Sequence, residues 1–124
     1  VVRNVAAKLR RLLQEIEPDC DPDIQVVSQR AADPDGGTSS HHELSVELPR
    51  AHARGKLIIR FCYAVHGPSG GCDAWRVDIK GALPEERDAL WEVFHPRNKS
   101  CRGWSNHVAP AFVFNGEQTT YPTS

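Results

Sequence analysis

Between residues 2 and 16, Val2, Val5, Leu9, Leu12, Leu13 and Ile16 recur at spacings of three and four. That is the period of an amphipathic helix, with Arg3, Lys8, Arg10 and Arg11 on its other side. Pro18 ends the helix, because a residue before proline disfavours helical geometry. The pattern then changes to a period of two. In "ELSVELP", Leu44, Val46 and Leu48 take one face while Glu43, Ser45 and Glu47 take the other, which predicts a strand with one wet face. "AWRVDIK" at 74–80 alternates in the same way, with Trp75, Val77 and Ile79 inward. "KLIIRFCYAV" at 56–65 is apolar on both faces apart from Arg60, so it belongs at the centre of a sheet. "DIQVVSQ" at 23–29 predicts a further short strand.

The intervening stretches punctuate these elements. "AADPDGGTSS" is rich in turn formers, and "RAHARG" and "HGPSGGC" are short enough for antiparallel hairpins. A second helix starts at Pro84, with Glu85 and Glu86 at its positive end. Leu83, Ala89, Leu90, Val93 and Phe94 form its apolar set, and Pro96 stops it. Beyond that point the tail reads as irregular, with "APAFVFNG" a candidate edge strand. The predicted fold is α+β: an N-terminal helix, a four-stranded antiparallel meander, a second helix and an irregular C-terminal tail, with both helices on one face.

A length of 124 residues predicts one domain over 1–124, large enough to bury a core without disulfides or metal. The chain opens on Val rather than Met, and the expectation is a piece of something longer. Fifteen basic and sixteen acidic residues leave a formal charge of −1, so bulk electrostatics gives no pull toward nucleic acid or an anionic membrane. No apolar run approaches the ~20 residues needed to span a bilayer. Cys20, Cys62, Cys72 and Cys101 include no CxxC; free thiols in a reducing, cytoplasmic compartment are expected, although two disulfides would be possible in a secreted chain.

Chemistry concentrates in "FHPRNKSCRGWSNH", residues 94–107. A zinc site from Cys72, His95, Cys101 and His107 would require its loops to converge. Cys62 and His66 lie ~13 Å apart if their strand stays extended, which one zinc cannot bridge. Asp19, Asp21 and Asp23 match the opening of a calcium loop, but Ile24 and Arg30 stand where that loop requires Gly and Glu. The expectation is no metal and no cofactor. Cys101 lies between His95 and His107, so these three are the alternative catalytic set, and Arg97, Lys99 and Arg102 nearby would lower the pKa of an exposed thiol. Arg97, Lys99, Arg102 and Trp104 are equally a candidate binding patch, since Arg and Trp are enriched in binding hot spots. The same residues could hold phosphate beside a stacking ring, which keeps a nucleic-acid module open.

"HPRNKSCRGWS" resembles the His-Pro-Asn, Cys and Trp-Ser elements of ubiquitin-conjugating enzymes, which also begin with a helix and a four-strand meander. The pattern departs where Arg97 separates Pro96 from Asn98, and where a helix from Pro84 replaces the proline-rich crossing. The long C-terminal helices have no counterpart in the sequence. The resemblance implies an E2-like or RWD-like shape more than thioester chemistry. Glu43, Arg60 and His66 are similar in type to the acid–base set of small microbial ribonucleases; the likeness implies Glu43 as base, Arg60 as phosphate clamp and His66 as acid. No catalytic constellation dominates. The favoured reading is a non-catalytic interaction domain that docks another protein or the remainder of its own chain, with no membrane partner.

Overall fold

The computed structural model describes residues 2–32, 38–50, 55–66, 71–96 and 110–121. Helix α1 (Val2–Ile16) leads into strands β1 (Gln25–Ala32), β2 (Thr38–Pro49), β3 (Lys56–His66) and β4 (Gly71–Lys80). A 3₁₀ turn (Pro84–Glu86) runs directly into helix α2 (Arg87–Phe94), and strands β5 (Ala111–Phe114) and β6 (Glu117–Thr120) follow. The six strands form one sheet in the order β1-β2-β3-β4-β5-β6. Neighbours are antiparallel except β4 and β5, which run parallel because α2 lies in the crossover between them.

The α+β class holds, but a four-stranded meander undercounts the sheet and the tail is not irregular throughout. "AFVFNGEQTT" is a hairpin joined by two residues, Asn115 and Gly116, with φ of 50° and 89°. Positive φ at both turn positions is the geometry that Asn-Gly accommodates most readily in a two-residue hairpin loop. The polar sequence of β6 hides its strand character. As an edge strand with three exposed residues it has little reason to alternate visibly. Asn115 also ties the hairpin to the end of β4: its Nδ2 donates to the Ala82 carbonyl at 2.8 Å, and its Oδ1 accepts from the Ala82 N–H at 3.3 Å.

The core lies between the helices and one face of the sheet. Val2, Val5, Leu9 and Leu13 of α1 are buried, as the helical spacing predicts. They join Leu44, Val46 and Leu48 of β2, Leu57, Ile59, Phe61 and Tyr63 of β3, and Trp75, Val77 and Ile79 of β4. The register stacks these in rows, Leu44–Phe61–Val77 and Val46–Ile59–Ile79, so each central strand turns one alternate set of residues inward. Phe61 sits at the middle of an aromatic group, 4.8 Å from the Trp75 ring and 5.3 Å from that of Phe94. Trp75 Nε1 donates to the Phe94 carbonyl at 2.8 Å, which fixes the C-terminal end of α2 on the sheet.

Helix α2 differs from its predicted stripe. Leu90 and Phe94 are fully buried and Val93 packs partly buried against the core, but Leu83 and Ala89 are exposed. Trp91, outside the predicted set, also packs partly buried against the core, its ring 5.2 Å from Phe112 and 4.2 Å from Tyr121. Through Trp91 the helix meets β5 as well as β4.

A buried ionic clamp locks three elements. Arg50, just past β2, donates from Nη1 and Nη2 to Glu86 at 3.0 and 2.7 Å, and from Nε to Glu17 at 3.3 Å. The Arg50 side chain is only 3% exposed. Glu86 Oε1 also accepts the Leu83 N–H at 2.8 Å, so one carboxylate both neutralises Arg50 and caps the 3₁₀ turn. Close by, Gly81 (φ 77°) lies so near the Lys56 carbonyl that a Cβ would stand 2.1 Å from its oxygen. Only glycine fits there.

Candidate functional site

The alternation that fills the core places a second set of side chains on the opposite face of the sheet. Across β2, β3 and β4 the register gives three rows: Glu43–Cys62–Arg76, Ser45–Arg60–Asp78 and Glu47–Ile58–Lys80. Their parity is opposite to that of the core rows, and all of them except Lys80 line a groove of about 650 Å³. No described helix packs over this face, since the core residues of both helices join the opposite one.

Charge is unevenly spread across the groove: β2 offers carboxylates, whereas β3 and β4 offer Arg60 and Arg76 with Asp78 beside them. Glu43 and Glu47 lie on β2, with Asp23 beyond them at the β1 side; Arg60, Arg76 and Lys80 lie on β3 and β4. The ion pairs that do form are long and exposed, Arg76–Asp78 at 3.9 Å and Lys56–Glu47 at 3.6 Å, so they hold these groups loosely. Glu43 and Arg60 make no salt bridge among the described residues. Cys62 stands between Glu43 and Arg76. Partial burial of its sulfur and the neighbouring Glu43 charge push its thiol up, against the opposing pull of Arg76. A thiol held protonated is a poor nucleophile.

The predicted site residues fare differently. Glu43 and Arg60 come together as diagonal neighbours on the open face, because Glu43 pairs with Cys62, two residues from Arg60. The His66 backbone lies opposite Ser39 at the far end of β3, four residues from Cys62. His41, two residues from Glu43 and exposed, shares its face, while His42 turns to the helix side and stacks on Tyr63 with ring centroids 4.7 Å apart. His95 ends α2 half-buried, its ring 5.0 Å from Tyr121 and 5.8 Å from Trp91, in an aromatic cluster. Arg97, Lys99, Cys101, Arg102, Trp104 and His107 lie outside the described residues, and so does the side chain of Cys72.

Cys20 and Cys62 are free thiols. Among the described residues no group of three or more His, Cys, Asp or Glu side chains converges as a metal site would require. No described helix is long and apolar enough to cross a membrane. The residues that sequence reasoning left unassigned are Arg76, Asp78 and Lys80. Their signal was present in the alternation of "AWRVDIK", which puts them opposite Trp75, Val77 and Ile79; what was lacking was the register that sets them beside Glu43 and Arg60. Compared with known proteins, the chain matches no family model, no curated protein and no solved structure.

Proposed function

We propose that this chain is a non-catalytic docking domain that receives another protein on the open face of its sheet. The observation that carries the reading is the uneven charge of the groove, acidic along β2 and mainly basic along β3 and β4, where Arg60 and Arg76 stand beside Asp78. A protein surface of mirrored polarity satisfies both sides. A nucleic acid does not, because its phosphates would meet Glu43 and Glu47 as well as the arginines. The raised Cys62 thiol also speaks for contact rather than nucleophilic chemistry.

Replacing Ile58, on the groove floor, by a photo-crosslinking side chain tests this in an extract of the source cells. The expected result is a protein adduct that disappears when Glu43→Lys and Arg76→Glu are combined, with the melting temperature unchanged. Nucleic-acid adducts, or protein adducts indifferent to the charge swap, would overturn it. Arg97→Ala with Arg102→Ala, in the same assay, tests the contact that the sequence assigns to the 97–104 segment.

A second reading is favoured by one observation: Glu43 lies diagonal to Arg60 and in the row of Arg76. Cleavage of RNA would use Glu43 as base and the two arginines as a phosphate clamp. His41 is the nearer acid, about 7 Å along the strand from Glu43, whereas His66 is about 13 Å along β3 from the partner of Glu43. Hydrolysis of a single-stranded RNA probe that is lost in Glu43→Gln would favour this reading over docking.

A further inference from the structure

The two edges of the sheet are unlike. Strand β6 is four residues long and opens on Glu117, two features that discourage further pairing. Strand β1 is eight residues long, carries Arg30 as its single charge, and contains neither Pro nor Lys. All eight residues are exposed, and the register with β2 runs unbroken from Gln25 to Ala32. Val26 is 42% and Val27 50% exposed; with Leu83 they are the large exposed hydrophobic residues among those described. Because neighbours on a strand alternate, these two valines lie on opposite faces of the sheet. Whatever covers this edge must offer apolar side chains on both faces at once.

We propose that the occupant is a second copy of this chain, paired antiparallel through β1 to make one continuous sheet. Such a pairing has a two-fold axis normal to the sheet, so both copies keep their helices on the same side. Facing residues share a face, which restricts the registers to those with a residue opposite itself or an even offset from it. With Gln29 on the axis, Val26 meets Ala32 and Val27 meets Ala31 of the second copy, and Ser28 meets Arg30. Every apolar residue of the strand then faces an apolar one, and the two Gln29 amides can donate to and accept from each other. The neighbouring registers are worse. With Ser28 on the axis, Val26 faces Arg30 and Val27 faces Gln29; with Arg30 on the axis, two like charges coincide; with Val27 on the axis, Val26 faces Ser28. The complementarity of the strand with itself is the argument for a second copy over an unrelated strand.

An edge contact through residues 26–32 belongs to the small, transient class of interface, below roughly 1,200 Å², so the dimer should dissociate on dilution. Sedimentation velocity over a concentration series, up to about 1 mM where complexes of this class form, measures it directly. The register is tested by Ser28→Glu and Ser28→Lys. Both lose the hydrogen bond between Ser28 Oγ and His42 Nδ1 (2.8 Å), so their difference isolates charge. Glu at this position faces Arg30 of the second copy twice over, and Lys opposes it twice. The expected outcome is a dimer about fivefold tighter in Ser28→Glu than in Ser28→Lys, with equal melting temperatures in dilute solution. A chain that stays monomeric across the series, leaving the edge for an unrelated strand, would overturn the proposal. So would a dimer that responds equally to both variants, since it must form through another surface.

Discussion

Strand β3 contributes to both faces of the sheet, and its side chains meet opposite conditions on the two. Leu57, Ile59 and Phe61 are at most 1% exposed beneath the helices, while Arg60 and Cys62, one residue away, are exposed on the groove. On the first face volume and shape decide what is tolerated, because a removed methylene leaves a cavity that close-packed neighbours cannot fill. On the second, charge and hydrogen-bonding capacity matter, and solvent fills any gap. Stability and recognition are therefore carried by alternate residues of one strand, and substitutions should separate them.

The largest effect belongs to the inner face. Phe61→Ala should cost about 3–5 kcal/mol and Ile59→Ala about 2–5 kcal/mol in urea melts, given the rings packed on Phe61. A cost for Phe61→Ala below that of Arg60→Ala would exchange the two faces. Next comes the clamp that holds α1, β2 and the start of α2 together. Arg50→Ala leaves Glu86 buried without its cation and should cost about 3 kcal/mol in the same melts.

Tyr121 sharpens the contrast from another direction. Its hydroxyl is buried and finds no hydrogen-bond partner among the described residues. Tyr121→Phe removes that unmet group and should stabilise the chain by about 1 kcal/mol at neutral pH. Burial also pushes the ionisation of this phenol upward in the folded state. The unfolded chain, with an ordinary tyrosine value near 10, then loses its proton first as pH rises. Stability contributed by the neutral phenol is complete below about pH 10 and declines above it. Urea midpoints at about pH 8 and about pH 11 should therefore separate the wild type from Tyr121→Phe more widely at the higher value. The smallest effect is on the open face, where Glu47→Ala should stay within about 0.5 kcal/mol in urea melts. Exposed as it is at 60% of its side chain, Glu47 should matter to binding rather than to folding.

How far the sequence could be read depends on the kind of signal. The stripe of α1 and the alternation of β2 and β4 were legible residue by residue, because burial on one side imposes a period that any reader can count. Strands β1 and β2 extend beyond the expected limits, to Ala32 and back to Thr38, through small and polar residues that give no period. Backbone hydrogen bonds carry the ladder there, and they are indifferent to side-chain pattern. Strand β6 escaped for the same reason, although Asn115-Gly116 announced its turn. On the candidate site, the sequence offers Glu43 and Arg60 by residue type, but not the groove they share or the residues beside them.

What the sequence by itself determined is the α+β class, the two helices, the central strands and which of their residues face inward, since each follows from local periodicity and from Pro and Gly. What only the tertiary structure decided is everything that depends on neighbours distant along the chain. The salt bridges of Arg50 with Glu86 and Glu17 join residues 36 and 33 positions apart. The row Glu43–Cys62–Arg76 is made by strand register, and the packing of Trp91 on Phe112 joins α2 to a strand that follows it. Period and propensity act over a few residues, whereas charge pairing and register act through space, and the chain order that encodes the first leaves the second to packing.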